Sequence, residues 1–298
     1  MGKFIWNRSG RILRVALDEI KNRKLDGGLQ LPCLASMADS LLVSQCVRLI
    51  NSADKKSLQH LSFWLGDLLG TLIPGLGQVN SAVDIPEYFN HIAELFAELM
   101  MSDTLTAGSL KSITNKNLYI EMTSSLPPPK VVMESTLDYT LAWSRLHCSV
   151  VEARARDVMY LLIHNKLPVQ ERLFRIRLKN DPYCQRCPGA EIADMEHYFS
   201  KCEGIVGAWT AVKAEILRYG KFKTIVDDWK ILNLMFPKSK LDKELIWLVS
   251  SYVWYVWDSV YVRGADVRAE QFFGFLRFKY KELQTNSSIH LENLQMFN

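Results

Sequence analysis

The sequence has almost no surplus of charge and no apolar run fit to span a bilayer. Lysine and arginine number 36 against 32 acidic residues in 298, a net charge of +4, so the field of the whole molecule does not argue for nucleic acid; only a local cluster does. The most membrane-like stretch, Leu245 to Val262, is broken by Ser250, Ser251 and Asp258 and flanked by Lys243, Glu244 and Arg263. Its apolar positions recur at helical spacing, which predicts a buried helix and no membrane partner. Met1 to Arg14 carries basic groups but no apolar core of a signal peptide, and the expected location is intracellular, nucleus and/or cytoplasm. Missing too are Gly-x-Ser-x-Gly, a Gly-rich phosphate loop ending in lysine, and His-Glu-x-x-His; Gly75-Leu76-Gly77 lacks a third glycine and reads as a turn. No catalytic residue is assigned, and a metalloenzyme has no support beyond a metal itself.

What remains is a globular composition, 48% hydrophobic and 23% charged, with a weak β pattern throughout. The fold class expected is mainly α: helical bundle-like regions with a small metal-clamped Cys-Cys-His-Cys module. Helical spacing covers Leu34 to Ile50, Leu58 to Leu72, Ile85 to Met101, Leu137 to Asn165 in one or two pieces, Gly207 to Tyr219 and Ala269 to Leu283. The Gly27-Gly28 pair predicts a turn with positive φ. Residues 102–130 are polar and end in Pro127-Pro128-Pro129, which reads as an extended spacer. The domain boundary is therefore set there, giving 1–125 and 126–298, with the metal module at about 165–210.

Six cysteines divide into two groups. Cys33, Cys46 and Cys148 sit in apolar helical sequence and read as buried small hydrophobes. Cys184, Cys187 and Cys202 crowd together with His197 among them, and in a reducing compartment that reads as metal before disulfide. The two-residue gap between Cys184 and Cys187 lets one tight turn, helped by Pro188-Gly189, present two thiolates to one ion. His197 and Cys202 follow nine residues later with four between them. A closed Cys3His set leaves no coordination position for water, so the ion expected is a structural zinc. A retroviral-type knuckle has a shorter central loop than these nine residues. Glu196 stands beside His197 as a possible acceptor for its second ring nitrogen, or as a solvated neighbour.

The order Cys184, Cys187, His197, Phe199, Cys202, Trp209 resembles the zinc-binding region that follows the polymerase in reverse transcriptases of non-LTR retrotransposons. Asn165-Lys166-Leu167-Pro168 with Arg172-Leu173-Phe174, and Met195-Glu196-His197-Tyr198-Phe199, are similar to its flanks. Lys3-Phe4-Ile5-Trp6-Asn7, Arg11-Ile12 and Gly27-Gly28-Leu29-Gln30-Leu31-Pro32 resemble the segment after the polymerase palm, which makes 1–125 similar to a thumb and connection region. The resemblance spans about residues 3–50 and 137–260. It implies a carboxy-terminal part of an RNA-directed DNA polymerase polyprotein, with an upstream polymerase region as partner in an intact element. The polymerase aspartates would lie upstream; Asp227-Asp228 is the one such pair and lacks a hairpin pattern around it. This chain alone is thus not expected to synthesise or cut DNA.

Next to the cluster lies the densest basic stretch: Lys166, Arg172, Arg175, Arg177 and Lys179 against one acid, Glu171, with Arg186 inside the cysteine pair. Leu167, Leu173, Phe174, Ile176 and Leu178 interleave it, so the apolar side is expected to pack on the metal module while the cations meet phosphates of RNA or DNA. Equal weight falls on a merely solvated face. Lys3, Arg8, Arg11 and Arg14 are weaker candidates. The leading expectation is a non-catalytic nucleic-acid-binding fragment that positions template RNA or target DNA. The alternative is a zinc-stapled helical scaffold for protein partners, which an exposed apolar face on the 245–262 helix would favour.

Overall fold

The computed structural model describes residues 15, 17–52, 55–73, 84–124, 138–221 and 227–286. Its helices are α1 (Leu17–Lys21), α2 (Leu34–Asn51), α3 (Lys55–Leu72), α4 (Glu87–Met101), α5 (Asn115–Ser124), α6 (Thr140–Leu146), α7 (Ala153–Ile163), α8 (Gln170–Arg175), α9 (Val206–Gly220), α10 (Asp228–Leu232), α11 (Asp242–Val256) and α12 (Ala269–Asn286). No strand occurs among the described residues; the one β feature is an isolated antiparallel bridge between Tyr183 and Ile192. The mainly α class holds. No helix of the described residues is long and apolar enough to cross a membrane.

The chain separates into two compact units, Leu31–Pro127 and a second made of Met1–Gln30 with Pro128–Asn298. Among the described residues before 31, residue 15 and residues 17–30 group with the carboxyl half and not with 31–127. Lys3, Arg8, Arg11, Arg14, Gly75-Leu76-Gly77 and the three-proline run lie outside the described residues.

The 31–127 unit closes around Val43, Val47, Leu61, Leu69, Phe96 and Leu118, contributed by α2, α3, α4 and α5 at helical spacing. Trp64 stacks on Phe89 at 5.2 Å between ring centroids. Helix α5 corrects the expected spacer: residues 115–124 have one fully buried apolar position, Leu118, too few for a periodic signal. It is held instead by packing on α2 and by the Cys33 N–H, which donates to the Tyr119 hydroxyl at 3.0 Å.

In the other unit α11 is the axle. From Leu245 through Val253 every side chain is buried, as expected of a helix apolar all round. It packs against α7, α9, α10 and α12. Its mid-helix Ser250 is satisfied by donating to the Trp247 carbonyl at 3.1 Å. No apolar face of this helix is left open. Trp209, Val212 and Ile216 of α9 are buried as their spacing predicts, whereas Leu217 is exposed. Cys33 and Cys46 are buried and Cys148 is half-buried.

Arg145 of α6 is the main polar anchor of this core. It is 3% exposed and donates to the carbonyls of Leu234 and Phe236, at 2.8 and 2.5 Å, and to the Asp242 carboxylate. The guanidinium also lies 4.1 Å over the Phe236 ring. The Gly27-Gly28 turn packs nearby in the same unit: Gly27 has φ 85°, and a Cβ on Gly28 would come within 1.9 Å of the Asn22 carbonyl oxygen. Only the first glycine is needed for positive φ; the second is needed for close approach. The Gly27 carbonyl then accepts from His164 Nε2 at 2.8 Å and from the Tyr160 hydroxyl at 3.3 Å, fastening the amino-terminal turn to α7.

Candidate metal centre

Helix α7 ends in a left-handed residue, Asn165, with φ 54°. The Lys166 N–H returns to Leu161 and the Asn165 N–H to Leu162, a cap that asparagine tolerates better than most residues. Pro168 follows and α8 begins two residues later. From there the chain enters a small hairpin in which the Cys184 N–H donates to Glu191 at 2.7 Å and the Ala193 N–H to Pro182 at 2.9 Å. The positive φ of its loop falls on Ala190, at 27°, and not on Gly189. The hairpin presents Cys184 and Cys187 from its closed end.

The other two ligand positions come from a helical turn that starts after Asp194, whose carboxylate accepts the His197 N–H at 2.7 Å. Residues His197–Lys201 form a π-turn, and the Cys202 N–H reaches back five residues to the His197 carbonyl at 2.8 Å. Residues five apart in an α-helix stand about 140° apart around the axis. The wider turn brings them back toward one face, in keeping with the occurrence of such bulges at functional sites. Phe199, on the same turn, is fully buried, and its carbonyl accepts from the Tyr252 hydroxyl of α11 at 2.8 Å. The turn is thereby bolted to the central helix.

The four side chains converge. Cys184 Sγ lies 3.7 Å from Cys202 Sγ, Cys187 Sγ 3.8 Å from Cys202 Sγ, and Cys187 Sγ 3.5 Å from His197 Nε2. All four ligand atoms lie within 4.8 Å of one another. Metal–sulfur bonds of about 2.3 Å and metal–nitrogen bonds of about 2.0 Å at tetrahedral angles give edges of about 3.8 and 3.6 Å. The donor set therefore fits one four-coordinate ion, closed by protein ligands.

Electrostatics prepares the donors unequally. Burial pushes the Cys184 thiol up, but the Arg186 and Cys187 N–H groups and hydrogen bonds from the other thiols outweigh it and leave Cys184 below its ordinary value. Burial pushes Cys202 up to about 12, with the Gly204 N–H opposing and Cys184 adding to the rise. A bound cation reverses that sign, because coordination deprotonates a thiol. Burial also lowers His197 against the pull of Asp194 and Glu191, so the imidazole is neutral near pH 7, as a ligand must be. Glu196 does not serve His197; it pairs with Lys201 at 3.0 Å.

The basic candidates separate. Arg186 turns inward, donating to the Ala265 carbonyl at 3.2 Å and lying 3.5 Å from Asp266. It ties the cysteine turn to the loop before α12, which removes it from the phosphate-binding set. Lys166 is half-buried in the turn after α7, and Arg172 donates to the Asn165 carbonyl at 3.3 Å. Arg175 bridges Glu171 one turn back, and Arg175, Arg177 and Lys179 all stand exposed. The interleaved apolar residues do not pack as expected: Leu167 is buried, but Phe174, Ile176 and Leu178 are exposed. Helix α8 is too short to turn one face inward, and from Phe174 to Asn180 the chain lies open to solvent.

Asp227 and Asp228 have structural employment. The Asp227 carboxylate accepts the Lys230 N–H as the cap of α10, and Asp228 pairs with Lys213. Sequence reasoning overlooked Asp194, Tyr252 and Asp266. Asp194 was within reach, since an Asp just before a helical turn is a cap signal; the other two act across long sequence gaps.

A metal-clamped hairpin and π-turn set into a helical unit is thus the class of site this chain contains. Residues 131–209 match the model of the family described as zinc-binding in reverse transcriptase. The match covers the hairpin, the π-turn and all four ligand residues, and it supports a reverse-transcriptase zinc-binding region in the carboxyl half. No curated protein and no solved structure matches the chain.

Proposed function

We propose that this chain is a non-catalytic, zinc-stapled nucleic-acid-binding part of a non-LTR retrotransposon reverse transcriptase, holding RNA template or target DNA for a polymerase encoded upstream. Three thiolates and one imidazole in a closed tetrahedron are the set that structural zinc takes. The ion's task is to pin hairpin to π-turn; with no open position, water has nowhere to be activated.

The observation that carries the nucleic-acid reading is the solvent-exposed segment 174–180, which offers Arg175, Arg177 and Lys179 directly beside the clamp. The side chains of Arg177 and Lys179 make no ion pair among the described residues. Phosphate contacts of this kind give affinity that falls steeply with salt. The test is binding of RNA and DNA oligonucleotides by the zinc-loaded chain across a salt series. Changing Arg175, Arg177 and Lys179 to Ala is expected to lower the log–log salt slope by about 2 to 3; unchanged affinity and slope would contradict the assigned surface.

A scaffold role for protein partners draws on the same segment, because Phe174, Ile176 and Leu178 are exposed there. The feature that would favour it most, an open apolar face on the 245–262 run, is confined to its end, where Tyr261 and Val262 are exposed; α11 itself is closed. Oligonucleotide binding that is insensitive to the triple change, or absent at low salt, would favour the scaffold.

A further inference from the structure

Between α8, the metal hairpin and the π-turn Trp257–Val262 lies a cavity of about 330 Å³. Its floor is the metal cluster, lined by Cys184, His197 and Cys202, but an ion occupies little of it: even a water's share of liquid volume is about 30 Å³. Around the mouth stand Lys179, Tyr183, Gln185 and Tyr261. Tyr183 and Tyr261 are 45% and 47% exposed, so both rings are open to a ligand at the mouth. Tyr261 is also fixed in orientation, since Trp257 stacks on it at 4.1 Å with 13° between the planes. Deeper in, Tyr198 lines the cavity, and its buried hydroxyl has no hydrogen-bond partner among the described residues.

We propose that this cavity takes one unpaired base of a single-stranded nucleic acid. The inference rests on the nucleic-acid reading above and narrows it to a kind of strand. A base supplies what the cavity lacks: a flat π-face for exposed tyrosine rings and polar edges for the unsatisfied Tyr198 hydroxyl. The flanking phosphates meet Lys179 at the mouth and Arg177 two residues before it. Arg177 is held in the left-handed region at φ 60°, by a cap in which its N–H returns to Phe174 and that of Leu178 to Leu173. A non-glycine residue there costs stability, and the backbone cap fixes the direction in which the side chain leaves the chain. A base inside a duplex has both faces stacked and its edge paired, so it does not enter without being extruded. The surface therefore discriminates single strand from duplex, which charge alone does not do.

The test uses the full zinc-loaded chain and one ten-nucleotide uridine-rich strand carrying a single 2-aminopurine, free or annealed to its complement. Anisotropy gives affinity, and 2-aminopurine emission reports stacking. The single strand is expected to bind more tightly than the duplex, with quenched emission. Tyr183→Ala and Tyr261→Ala should each weaken single-strand binding about tenfold, at the low end of a stacking contact, and leave duplex binding unchanged. Tyr183→Phe and Tyr261→Phe should restore it. Metal content checks each variant, and Tyr261, on a different element from the cluster, carries the test should Tyr183→Ala lose metal. Equal binding of the two forms, or tyrosine variants that weaken both alike, would overturn this inference while leaving the phosphate-binding surface standing. A chain that binds neither form at low salt would overturn both.

Discussion

Arg145 shows what one residue does in the core of the carboxyl unit. It satisfies carbonyls left open where α10 ends in a left-handed leucine, Leu234 at φ 59°, and it closes on Asp242 at the start of α11. Arg145→Leu leaves those acceptors buried and unpaired. The expected cost is about 3 kcal/mol, read as a fall in the urea midpoint of the metal-bearing unit. Lysine, lacking the planar fork, should recover little of it. His164 makes a different prediction. Burial brings its pKa down to about 4, against the opposing pulls of the Gly27 carbonyl and Glu19. Between the ordinary histidine value of about 6.5 and that lowered value, the unfolded chain binds a proton that the folded chain refuses. Stability is thus full above about pH 6.5 and falls as the solution is acidified toward pH 4, by about 3 kcal/mol for a shift of this size. His164→Gln, which keeps a donor for Gly27, should flatten that part of the profile. Urea midpoints of the two proteins at pH 7.5 and 5.5 check it, their difference cancelling the acid sensitivity that the metal ligands share.

At the scale of elements, the π-turn is the unit that makes a metal site from His197 and Cys202. Inserting one alanine after Lys201, an exposed residue, sets the histidine and the cysteine six positions apart, about 240° around an α-helix, where they no longer share a face. The variant should fold with less than stoichiometric zinc, whereas Lys201→Ala, which preserves the count, should bind one equivalent. The comparison separates register from side chain. Sequence spacing was enough to place the four ligands because thiolate and imidazole identities and their separations are local quantities. Burial of α11 was legible for the same reason, its apolar residues repeating at helical period all the way round. Helix α5 was not legible: it has one buried leucine and depends on packing from α2, and no local pattern records that. The fate of residues 174–180 was hidden as well. Alternating Arg and apolar residues looks amphipathic on paper, but a six-residue helix ending in a left-handed arginine cannot carry the pattern onto one face. Arg186 read as one more cation of the patch, because its partner Asp266 is eighty residues away in sequence.

Over the whole molecule, the division into 31–127 and the unit that joins the described residues before 31 to the carboxyl half sets what the metal supports. Chelation should lower the thermal transition of the metal-bearing unit, and amides of α9 and α11 should lose hydrogen-exchange protection first, being bolted to the π-turn through Tyr252 and the chain after Cys202. Amides of α2 and α4, whose core has its own apolar residues, should keep theirs. The amino-terminal turn at Gly27 was assigned to the first half by sequence order; it belongs with the carboxyl half because His164 and Tyr160 hold its carbonyl, a contact between residues over a hundred positions apart. The claim on which the rest depends is that Cys184, Cys187, His197 and Cys202 hold one ion in a closed tetrahedron. Cobalt(II) substitution tests it most directly, because intense ligand-field bands with thiolate-to-metal charge transfer arise only from a tetrahedral, sulfur-rich site. The account predicts that spectrum, saturating at one equivalent and lost in Cys187→Ser and His197→Ala. A weak six-coordinate spectrum, or saturation unaffected by those changes, would contradict it.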